Sequence, residues 1–253
     1  MGMHDVAARG FGAGADDYEK GRPSYPDDVV GWLVDRLAIE PGRRVVDLGA
    51  GTGKLTRLLV PTGADLVAVE PVEAMRAELA AGSPGVMALG GTAEDLPVDD
   101  ASIDAVTVAQ AFHWFDAPAA LAEIGRVLRP GGGLGLIWNE RDAREPWVAE
   151  LSRLIHWDER ARWRVPDTLA ADWGARLAAL GGPFTPPERI DSGFRQAMGP
   201  DTLVSRVLST SYLASQTSVE RAVLADRVRE LVAPLGARFD LPYVTTAWVV
   251  HRT

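Results

Sequence analysis

Residues 45–56 constrain the fold of this chain more than any other stretch, because an apolar run there ends in three closely spaced glycines. Arg44–Leu48 is short, β-branched and apolar, which predicts a strand buried on both faces. A sharp turn is expected to follow, since glycine adopts backbone angles that other residues avoid and brings bare backbone close to a ligand. The three glycines are Gly49, Gly51 and Gly53.

A turn of this kind is expected to direct backbone N–H groups at a bound molecule, with a helix beginning near Thr52. The dinucleotide fingerprint G-x-G-x-x-G does not fit, because Lys54 stands where its third glycine would be. The phosphate-binding P-loop ends in Gly-Lys-Ser/Thr, whereas Leu55 follows Lys54 here. The turn alone therefore predicts a ligand site without naming the ligand.

The composition limits the partners and the chemistry. The chain has 253 residues, of which 47% are hydrophobic, enough for one large α/β domain with a cap. Its net charge is −9 and no long basic run occurs, so we expect no nucleic-acid partner. It has no cysteine, and its four histidines lack metal-ligand spacing, so we expect no metal site. Without a membrane-length apolar run or a signal-peptide core, we expect a cytoplasmic protein with no membrane contact.

Strands and helices alternate between residues 43 and 139. Helical spacing predicts helices from Asp27, over Val72–Ala80, and from an N-cap at Asp116 through Leu128, where Pro130 and three glycines close it. This alternation predicts an α/β fold with a parallel sheet covered by helices on both faces, whose ligands bind at the carboxyl ends of the strands. The predicted strands are Arg44–Leu48, Asp65–Glu70, Val86–Leu89, Ile103–Ala109 and Leu134–Trp138.

The regular alternation of strands and helices ends after residue 143, and the insertions that follow are the expected place of a substrate cap. Arginines and tryptophans cluster at residues 153–164, which form either a solvated helix face or a lid that recognises an anionic acceptor. The predicted helices are Pro146 to about Trp163, Leu169–Leu180, Asp201–Ser209 and Ser218–Val232, and the predicted strands are Glu188–Ala197 and Leu241–His251.

Three polar stretches hold candidate site residues. Glu70 ends the second predicted strand, 21 residues after Gly49, where an acid accepts hydrogen bonds from ribose hydroxyls in nucleoside-binding sheets; the alternative is a capping or solvated acid. Gln110–Asp116 brings three aromatic residues and a histidine to the end of the fourth strand. Tyr18–Pro26 is either an irregular N-terminal arm or a lid over the ligand.

Taken together, these features resemble the class I S-adenosylmethionine (SAM) dependent methyltransferases. The resemblance covers most of residues 10–253 and rests on the glycine motif with Asp47, the acid Glu70, the loop Thr92–Glu94 and the run Leu128–Gly132. It implies a Rossmann-like sheet of seven strands in the order 3-2-1-4-5-7-6, mostly parallel with the last strand antiparallel, helices on both faces and a helical cap. Five stretches are similar to the small-molecule branch, which includes trans-aconitate and bacterial natural-product methyltransferases: Tyr18–Pro26, Gln110–Asp116, Trp138–Asp142, Ser211–Leu213 and Leu241–Tyr243.

The resemblance also implies a domain layout. Residues 1–253 are expected to form a single domain, as a monomer or a homodimer. Within it we expect an N-terminal lid and helix at residues 1–40, a SAM-binding core at 41–142, a cap with strand six at 143–237 and a final strand at 238–253.

By the resemblance, the glycine turn passes under the methionine part of SAM and is supported by Asp47, while Glu70 holds the ribose. Many relatives carry Asp or Asn where this chain has Thr92, so the adenine contact expected there departs from the pattern. Tyr18 and Arg22 are expected to close over the cofactor. The residues implied to bind SAM, and its product S-adenosyl-L-homocysteine, are Tyr18, Arg22, Asp47, Gly49, Ala50, Gly51, Gly53, Glu70, Pro71, Met75, Thr92, Ala93, Glu94 and Gln110.

The implied reaction is an in-line displacement at the sulfonium methyl, in which the protein positions the acceptor and excludes water. His113 is the candidate general base, because it follows the fourth strand; its alternative role is local packing against Trp114. We expect a small-molecule acceptor, such as a carboxylate or a natural product, that takes the methyl on oxygen; carbon or nitrogen is the alternative. Candidate acceptor contacts are Trp114, Trp138, Asn139 and Arg141, although the last three alternatively anchor the cap.

Two other functions remain open from the sequence. A SAM-binding protein with a non-methylating role, such as cyclisation, could have the same cofactor site. A nicotinamide dehydrogenase is disfavoured by the G-x-G-x-G spacing of the glycine turn.

Overall fold

The computed structural model describes residues 23–156, 173–180, 183–210, 213 and 216–253. The chain forms two compact units, each assembled from three segments. The first, which we call the sheet unit, comprises residues 24–139, 168–192 and 245–253. The second, which we call the helical unit, comprises residues 1–23, 140–167 and 193–244.

The strands are β1 (Arg44–Leu48), β2 (Asp65–Val69), β3 (Met87–Leu89), β4 (Ile103–Ala109), β5 (Leu128–Arg141), β6 (Glu188–Met198) and β7 (Phe239–His251). They form one sheet in the order β3-β2-β1-β4-β5-β7-β6, which confirms the order implied by the resemblance. The pairs β1–β2, β2–β3, β1–β4 and β4–β5 are parallel.

The last strands pair antiparallel, as expected. The N–H of Gly131 donates to the carbonyl of Arg252, and the N–H of Asp142 donates to the carbonyl of Pro242. The residue numbers therefore fall along β7 as they rise along β5, which is the mark of an antiparallel pair.

The helices are α1 (Asp27–Leu37), α2 (Lys54–Leu59), α3 (Glu73–Gly82), α4 (Ala117–Val127), α5 (Pro146–Leu154), α6 (Trp173–Leu180), α7 (Pro200–Leu208) and α8 (Ser218–Val232). Short 3-10 turns lie at Val60–Thr62, Phe112–Trp114 and Ala233–Leu235. Asp116 caps α4 as predicted, with its side chain accepting from the N–H of Ala119. Across the described residues, no helix combines the length and the apolar character needed to cross a membrane.

The sheet unit buries apolar residues on both faces of its parallel strands. Val46 and Val67 belong to one hydrophobic cluster, and their strand neighbours Val45 and Leu66 belong to another. Because successive side chains of a strand point to opposite faces, the two clusters lie on opposite sides of the sheet. Helix α4 contributes to the first cluster, whereas α1 and α2 contribute to the second.

The helical unit has a hydrophobic cluster of its own. It is formed by α5, α7 and α8 together with residues of β6 and β7. Phe194 and Tyr243 stack in it with ring centroids 5.1 Å apart and an interplanar angle of 11°. A capping box at Thr217 and Glu220 begins α8.

The prediction for the start of β5 is wrong. The sequence predicts a helix through Leu128 and a strand only from Leu134, but α4 ends at Val127 and β5 begins at Leu128. The N–H of Arg252 donates to the carbonyl of Gly132 at 2.8 Å, so pairing with the chain after β7 extends the sheet through a run of low strand propensity.

The predicted long helix from Pro146 is also wrong at Ile155 and His156, because α5 ends at Leu154; residues 157–163 lie outside the described residues. The N–H of His156 donates to the carbonyl of Arg153, and His156 has a φ of 51°, which ends a right-handed helix. Arg153 pairs with Glu150 at 2.5 Å, a contact typical of a solvated helix face. The other predictions for the arginine and tryptophan cluster, those for residues 169–172, and those for Ser211 and Tyr212 lie outside the described residues.

Asp104 joins three strands at the amino edge of the parallel sheet. Its buried carboxylate accepts from the N–H of Arg44 at 2.8 Å, from Arg129 Nη1 at 2.7 Å and from Arg43 Nη1 at 3.3 Å. Burial raises the pKa of Asp104, but the hydrogen bonds from Arg44 and Arg129 outweigh it, so the pKa lies below its ordinary value. The charged carboxylate therefore stabilises the folded state.

We expect Asp104→Asn to lower the free energy of unfolding at neutral pH by about 1–2 kcal/mol, because charge-assisted hydrogen bonds are lost while their arginine partners are half exposed. A lowered pKa stabilises above the pKa of the unfolded state, and this contribution disappears as the pH falls through the folded-state value. The difference in the free energy of unfolding between the wild type and Asp104→Asn should therefore become smaller at acidic pH. Urea unfolding across acidic and neutral pH measures it, with the exposed Asp99→Asn as the matched control. A deficit that does not change with pH would contradict this account.

Candidate functional site

The register of the sheet brings several predicted site residues to one edge. Leu48 pairs with Val69, and Val69 pairs with Leu89, so β1, β2 and β3 end at the same level. On the other side of β1, Asp47 pairs with Thr107 of β4. The predicted residues that follow these strand ends are Gly49, Ala50, Gly51, Gly53, Glu70, Pro71, Thr92, Ala93, Glu94 and Gln110.

Asp47 connects the end of β1 to two neighbouring elements, helix α2 and strand β4. Its carboxylate accepts from the hydroxyl of Thr56 on α2 at 2.5 Å and from the hydroxyl of Thr107 on β4 at 3.2 Å. It is only 1% exposed. Burial, with a smaller contribution from the nearby charge of Glu70, raises the pKa of Asp47 to about 6 against the opposing hydrogen bonds from Thr56 and Thr107. Asp47 thus links the strand that enters the glycine turn to α2 and to β4.

Each of the three positions in the turn requires glycine for a different structural reason. All have positive φ angles, of 66°, 57° and 84° for Gly49, Gly51 and Gly53. A Cβ at Gly49 would lie 2.7 Å from Cβ of Ala111, and one at Gly53 would lie 2.8 Å from Cγ of Leu79. Among the described residues, a Cβ at Gly51 would meet no atom within 4 Å. Gly51 therefore presents an open backbone surface that a ligand can approach closely.

Glu70 holds this turn, a role that the sequence did not suggest. One carboxylate oxygen accepts from the N–H of Gly51 at 2.9 Å, and the other accepts from the N–H of Val72 at 2.9 Å. The residue is 6% exposed. The carboxylate therefore links the glycine turn to the chain that leaves β2 and fixes its own orientation at the edge of the sheet.

The expectation that the N–H groups of the turn are directed at a ligand is wrong for four of them. Gly49 and Ala50 donate to the carbonyl of Val69 at 2.8 and 3.2 Å, and Gly53 donates to the carbonyl of Ala50 at 2.9 Å. The N–H of Gly51 is taken by the Glu70 carboxylate. These groups hold the turn in shape, so what it offers a ligand is close approach and a fixed carboxylate.

The loops after β2 and β3 bring further predicted residues into defined places. Met75 and Ala93 are buried, whereas Pro71 is exposed. Thr92 is half-buried and forms an isolated bridge with Asp95.

Glu94 ties the loop after β3 to the start of α4. Its Oε1 accepts from the N–H of Asp116 at 2.9 Å. Asp116 in turn caps α4 with its own side chain. The side chain of Glu94 therefore has a structural partner in addition to any role toward adenine.

Gln110 leaves β4 in a strained conformation. Its φ of 57° is in the left-handed region, which non-glycine residues seldom adopt. Its N–H donates to the carbonyl of Ile137 at 3.0 Å, and its side-chain Nε2 donates to the carbonyl of Asn139 at 3.1 Å. Strain of this kind persists where surrounding contacts impose it, and it is concentrated at functional sites.

His113 and Trp114 follow in a short 3-10 turn, and both are half-buried. Their ring centroids are 4.9 Å apart with tilted planes. The preceding Phe112 is fully buried and packs edge-on against Phe115. The aromatic residues therefore anchor the turn that carries His113 at the end of β4.

Asn139 connects three segments of the sheet unit. Its Oδ1 accepts from the hydroxyl of Thr245 at 2.6 Å, and its Nδ2 donates to the carbonyl of Ser24 at 3.0 Å. Its backbone carbonyl accepts from Gln110. Both ends of its amide are thus used within the sheet unit, by Ser24 and Thr245.

Four other predicted residues lie in the core, in the helical unit or outside the described residues. Trp138 is 2% exposed and packs edge-on against Trp248 in the core. Arg141 is half-buried and belongs to the helical unit. Tyr18 and Arg22 lie outside the described residues.

Comparisons with known proteins find methyltransferases among the relatives of this chain. A model of a methyltransferase domain family matches residues 46–136. An uncharacterized methyltransferase of Mycobacterium tuberculosis is 45% identical over 241 residues, covering 93% of this chain and 92% of that protein. A malonyl-acyl-carrier-protein O-methyltransferase of Methylococcus capsulatus is 43% identical over 134 residues, covering 50% of this chain and 44% of that protein. The crystal structure of the YcgJ protein from Bacillus subtilis is similar in fold, with a TM-score of 0.59, 20% identity and coverage of 90% and 99%.

The raised pKa of Asp47 gives a measurable pH dependence of stability. A folded-state pKa of about 6 against an ordinary 3.8 means that this group stabilises the fold below the lower value and loses that contribution as the pH rises through about 6. We expect the stability of the wild type relative to Asp47→Asn to fall by about 3 kcal/mol between about pH 4 and about pH 7.

Urea unfolding of both proteins at several pH values measures this difference. Asp99→Asn, at an exposed position, controls for the change in net charge. A wild-type curve that runs parallel to that of Asp47→Asn over the whole range would contradict the raised pKa.

Proposed function

The chain belongs to the class I SAM-dependent methyltransferases, and we propose that it transfers a methyl group from SAM to an oxygen atom of a small-molecule acceptor. The observation that carries the proposal is the hydrogen bond between the Glu70 carboxylate and the N–H of Gly51, which fixes an acid beside the open backbone of the glycine turn. A nucleoside needs a backbone that it can approach closely and a carboxylate that accepts hydrogen bonds from its ribose hydroxyls, and this pair supplies both.

The residues at the strand ends fit SAM. In the proposed arrangement Glu70 accepts hydrogen bonds from the ribose hydroxyls, since each carboxylate oxygen can accept more than one. The buried side chains of Met75 and Ala93 flank the adenine, with Glu94 at its edge. Gln110 and the backbone after it line the methionine end. Tyr18 and Arg22 stay predictions for closing the site.

When bound, SAM supplies an electrophilic methyl group on a positively charged sulfur, which departs as a neutral thioether in S-adenosyl-L-homocysteine. The protein's task is to orient the acceptor and to keep water away. Residues 41–142 are the proposed SAM-binding core, and Asn139 is assigned to holding Gln110 rather than to the acceptor.

We propose His113 as the group that takes the proton of a neutral acceptor hydroxyl. It lies just past the end of β4, in a turn held by buried aromatic residues. A carboxylate acceptor is already ionised and needs no such base. Trp114 and Arg141 remain proposed acceptor contacts. The choice of oxygen is supported by the O-methyltransferase of Methylococcus capsulatus among the relatives.

The proposed function is tested by incubating the protein and methyl-deuterated SAM with a small-molecule extract of its source and following label by mass spectrometry. We expect a labelled product that is absent without the protein and whose label is released by ester or ether cleavage. Clear SAM binding without conversion of SAM to S-adenosyl-L-homocysteine in the complete extract would favour the non-methylating alternative. His113→Ala should slow labelling of a hydroxyl acceptor while retaining SAM affinity; an unchanged rate would assign His113 to packing against Trp114.

Glu70→Gln should weaken SAM binding. The amide offers one oxygen where Gly51 and Val72 both need an acceptor, and it also loses the charge that strengthens the ribose hydrogen bonds. We expect roughly a tenfold to hundredfold loss of affinity, corresponding to ~1.5–3 kcal/mol for charge-assisted hydrogen bonds. Isothermal titration calorimetry measures it.

Glu73→Gln is the matched control, because Glu73 is exposed in the first turn of α3 and should bind SAM like the wild type. Thermal unfolding without SAM separates loss of the fold from loss of the site. A folded Glu70→Gln variant with wild-type affinity would remove Glu70 from the cofactor site.

A further inference from the structure

Two side chains in the second half of α4, Glu123 and Arg126, hold the backbone of residues 90–98, which we call the 90–98 loop. Oε1 of Glu123 accepts from the N–H of Leu96 at 2.8 Å. Nη2 of Arg126 donates to the carbonyls of Leu96 and Val98 at 3.2 and 3.1 Å. Leu96 is only 3% exposed. Side chains of one helix therefore satisfy both backbone groups of a buried residue in this loop.

Glu123 and Arg126 also fix each other. Nε of Arg126 donates to Oε2 of Glu123 at 2.8 Å, and its Nη2 donates to Oε1 at 2.6 Å. The hydrogen bond from Arg126 is the main cause that holds the pKa of the Glu123 carboxyl below its ordinary value, against its partial burial. A pair with two parallel hydrogen bonds has a specific geometry, so the loop is attached to a rigid frame.

The 90–98 loop folds back against the end of β2. A Cβ at Gly91 would lie 2.7 Å from Cδ of Pro97 and 3.1 Å from Cγ1 of Val69. The N–H of Glu70 donates to the carbonyl of Leu89 at 3.0 Å, immediately before the loop begins. The loop therefore starts beside the carboxylate that is proposed to hold the ribose.

The loop carries two polar groups that suit the edge of an adenine base. Ala93 is 2% exposed, and its N–H donates to no carbonyl or side chain of the described residues. The carboxylate of Glu94 accepts at Oε1 from the N–H of Asp116 at 2.9 Å and has further acceptor capacity. Adenine presents the complementary pair, an acceptor at N1 and a donor at the 6-amino group, whereas hypoxanthine presents the reverse. A loop held in one place can therefore distinguish the two bases.

We propose that Glu123 and Arg126 are positioning residues for adenine recognition. They act through the backbone of Leu96, which sets where Ala93 and Glu94 meet the base, and neither side chain contacts the cofactor itself. The inference rests on the SAM-binding function proposed above and names the residues on which its base specificity depends.

Calorimetric titration of the full-length protein with S-adenosyl-L-homocysteine and with S-inosyl-L-homocysteine tests this role. The two ligands differ only at the edge of the purine, where the inosyl compound has an oxo group at position 6 and a proton on N1. We expect the wild type to bind the adenosyl compound about tenfold or more tightly, because the wrong base leaves buried polar groups unpaired. The measurement needs no methyl acceptor and no turnover.

Arg126→Met should bring the two affinities to within a few-fold of each other, because the loop loses its fixed placement. Loss of stability alone would not change their ratio, since a smaller folded fraction weakens both apparent affinities by the same factor. Arg129→Met is the matched control. It also breaks an ion pair, with Asp104 at 2.7 Å, but at the amino edge of the sheet, and it should keep the wild-type ratio.

Glu123→Gln is a milder second variant for the case that Arg126→Met does not fold. Its amide oxygen can still accept from Leu96, but it loses the charge that holds Arg126, so the ratio should fall by a smaller factor. A folded Arg126→Met or Glu123→Gln variant with the wild-type ratio would overturn the positioning role. Equal affinity of the wild type for both ligands would overturn it as well and leave methyl transfer untouched. A wild type that binds neither ligand would instead overturn the SAM-binding function, and this inference with it.

Discussion

The edge of the sheet at which β1, β2 and β3 end depends on one buried carboxylate, that of Asp47. Its two oxygens accept hydrogen bonds from the hydroxyls of Thr56 and Thr107, and so connect β1 to α2 and to β4 immediately before the glycine turn. Burying a charge in this position is unfavourable, and the raised pKa records that cost. The arrangement persists because the two threonines, which are themselves fully buried, satisfy the group from both sides.

In the turn that follows Asp47, the three glycines look equivalent in the sequence but have different structural roles. Gly49 and Gly53 are required by close packing with Ala111 and Leu79, whereas Gly51 is required only by its backbone angle and by what must approach it. Glu70 completes the turn from β2. A carboxylate that both holds the backbone and faces the proposed ribose couples the shape of the turn to recognition of the cofactor.

Much of the fold was predictable from local patterns. Buried parallel strands are short apolar runs, and β1 and β4 have the predicted bounds because glycine, proline and polar residues surround them. The early start of β5 was not predictable in this way. It depends on pairing of Leu128 with Ile103 of β4 and of Gly131 and Gly132 with Arg252, more than a hundred residues later, and these tertiary contacts override the local preference of a Pro-Gly run.

The candidate site was predictable in the identity of its residues more than in their contacts. A ligand turn, an acid after β2 and a histidine after β4 are visible as sequence positions. The use of the turn's N–H groups inside the protein, and of the Asn139 amide as a link between Ser24 and Thr245, are not. Such contacts depend on side-chain directions at the strand ends, and no periodicity encodes those directions.

The division into two units has an evolutionary consequence. The chain passes from one unit to the other inside β5, β6 and β7, so neither unit corresponds to a continuous stretch of the gene. A recombination event that exchanged the helical unit as a module would need several breakpoints, three of them within strands. Diversification of this lineage is therefore expected to proceed by point substitutions and by insertions in the loops, with the sheet inherited whole.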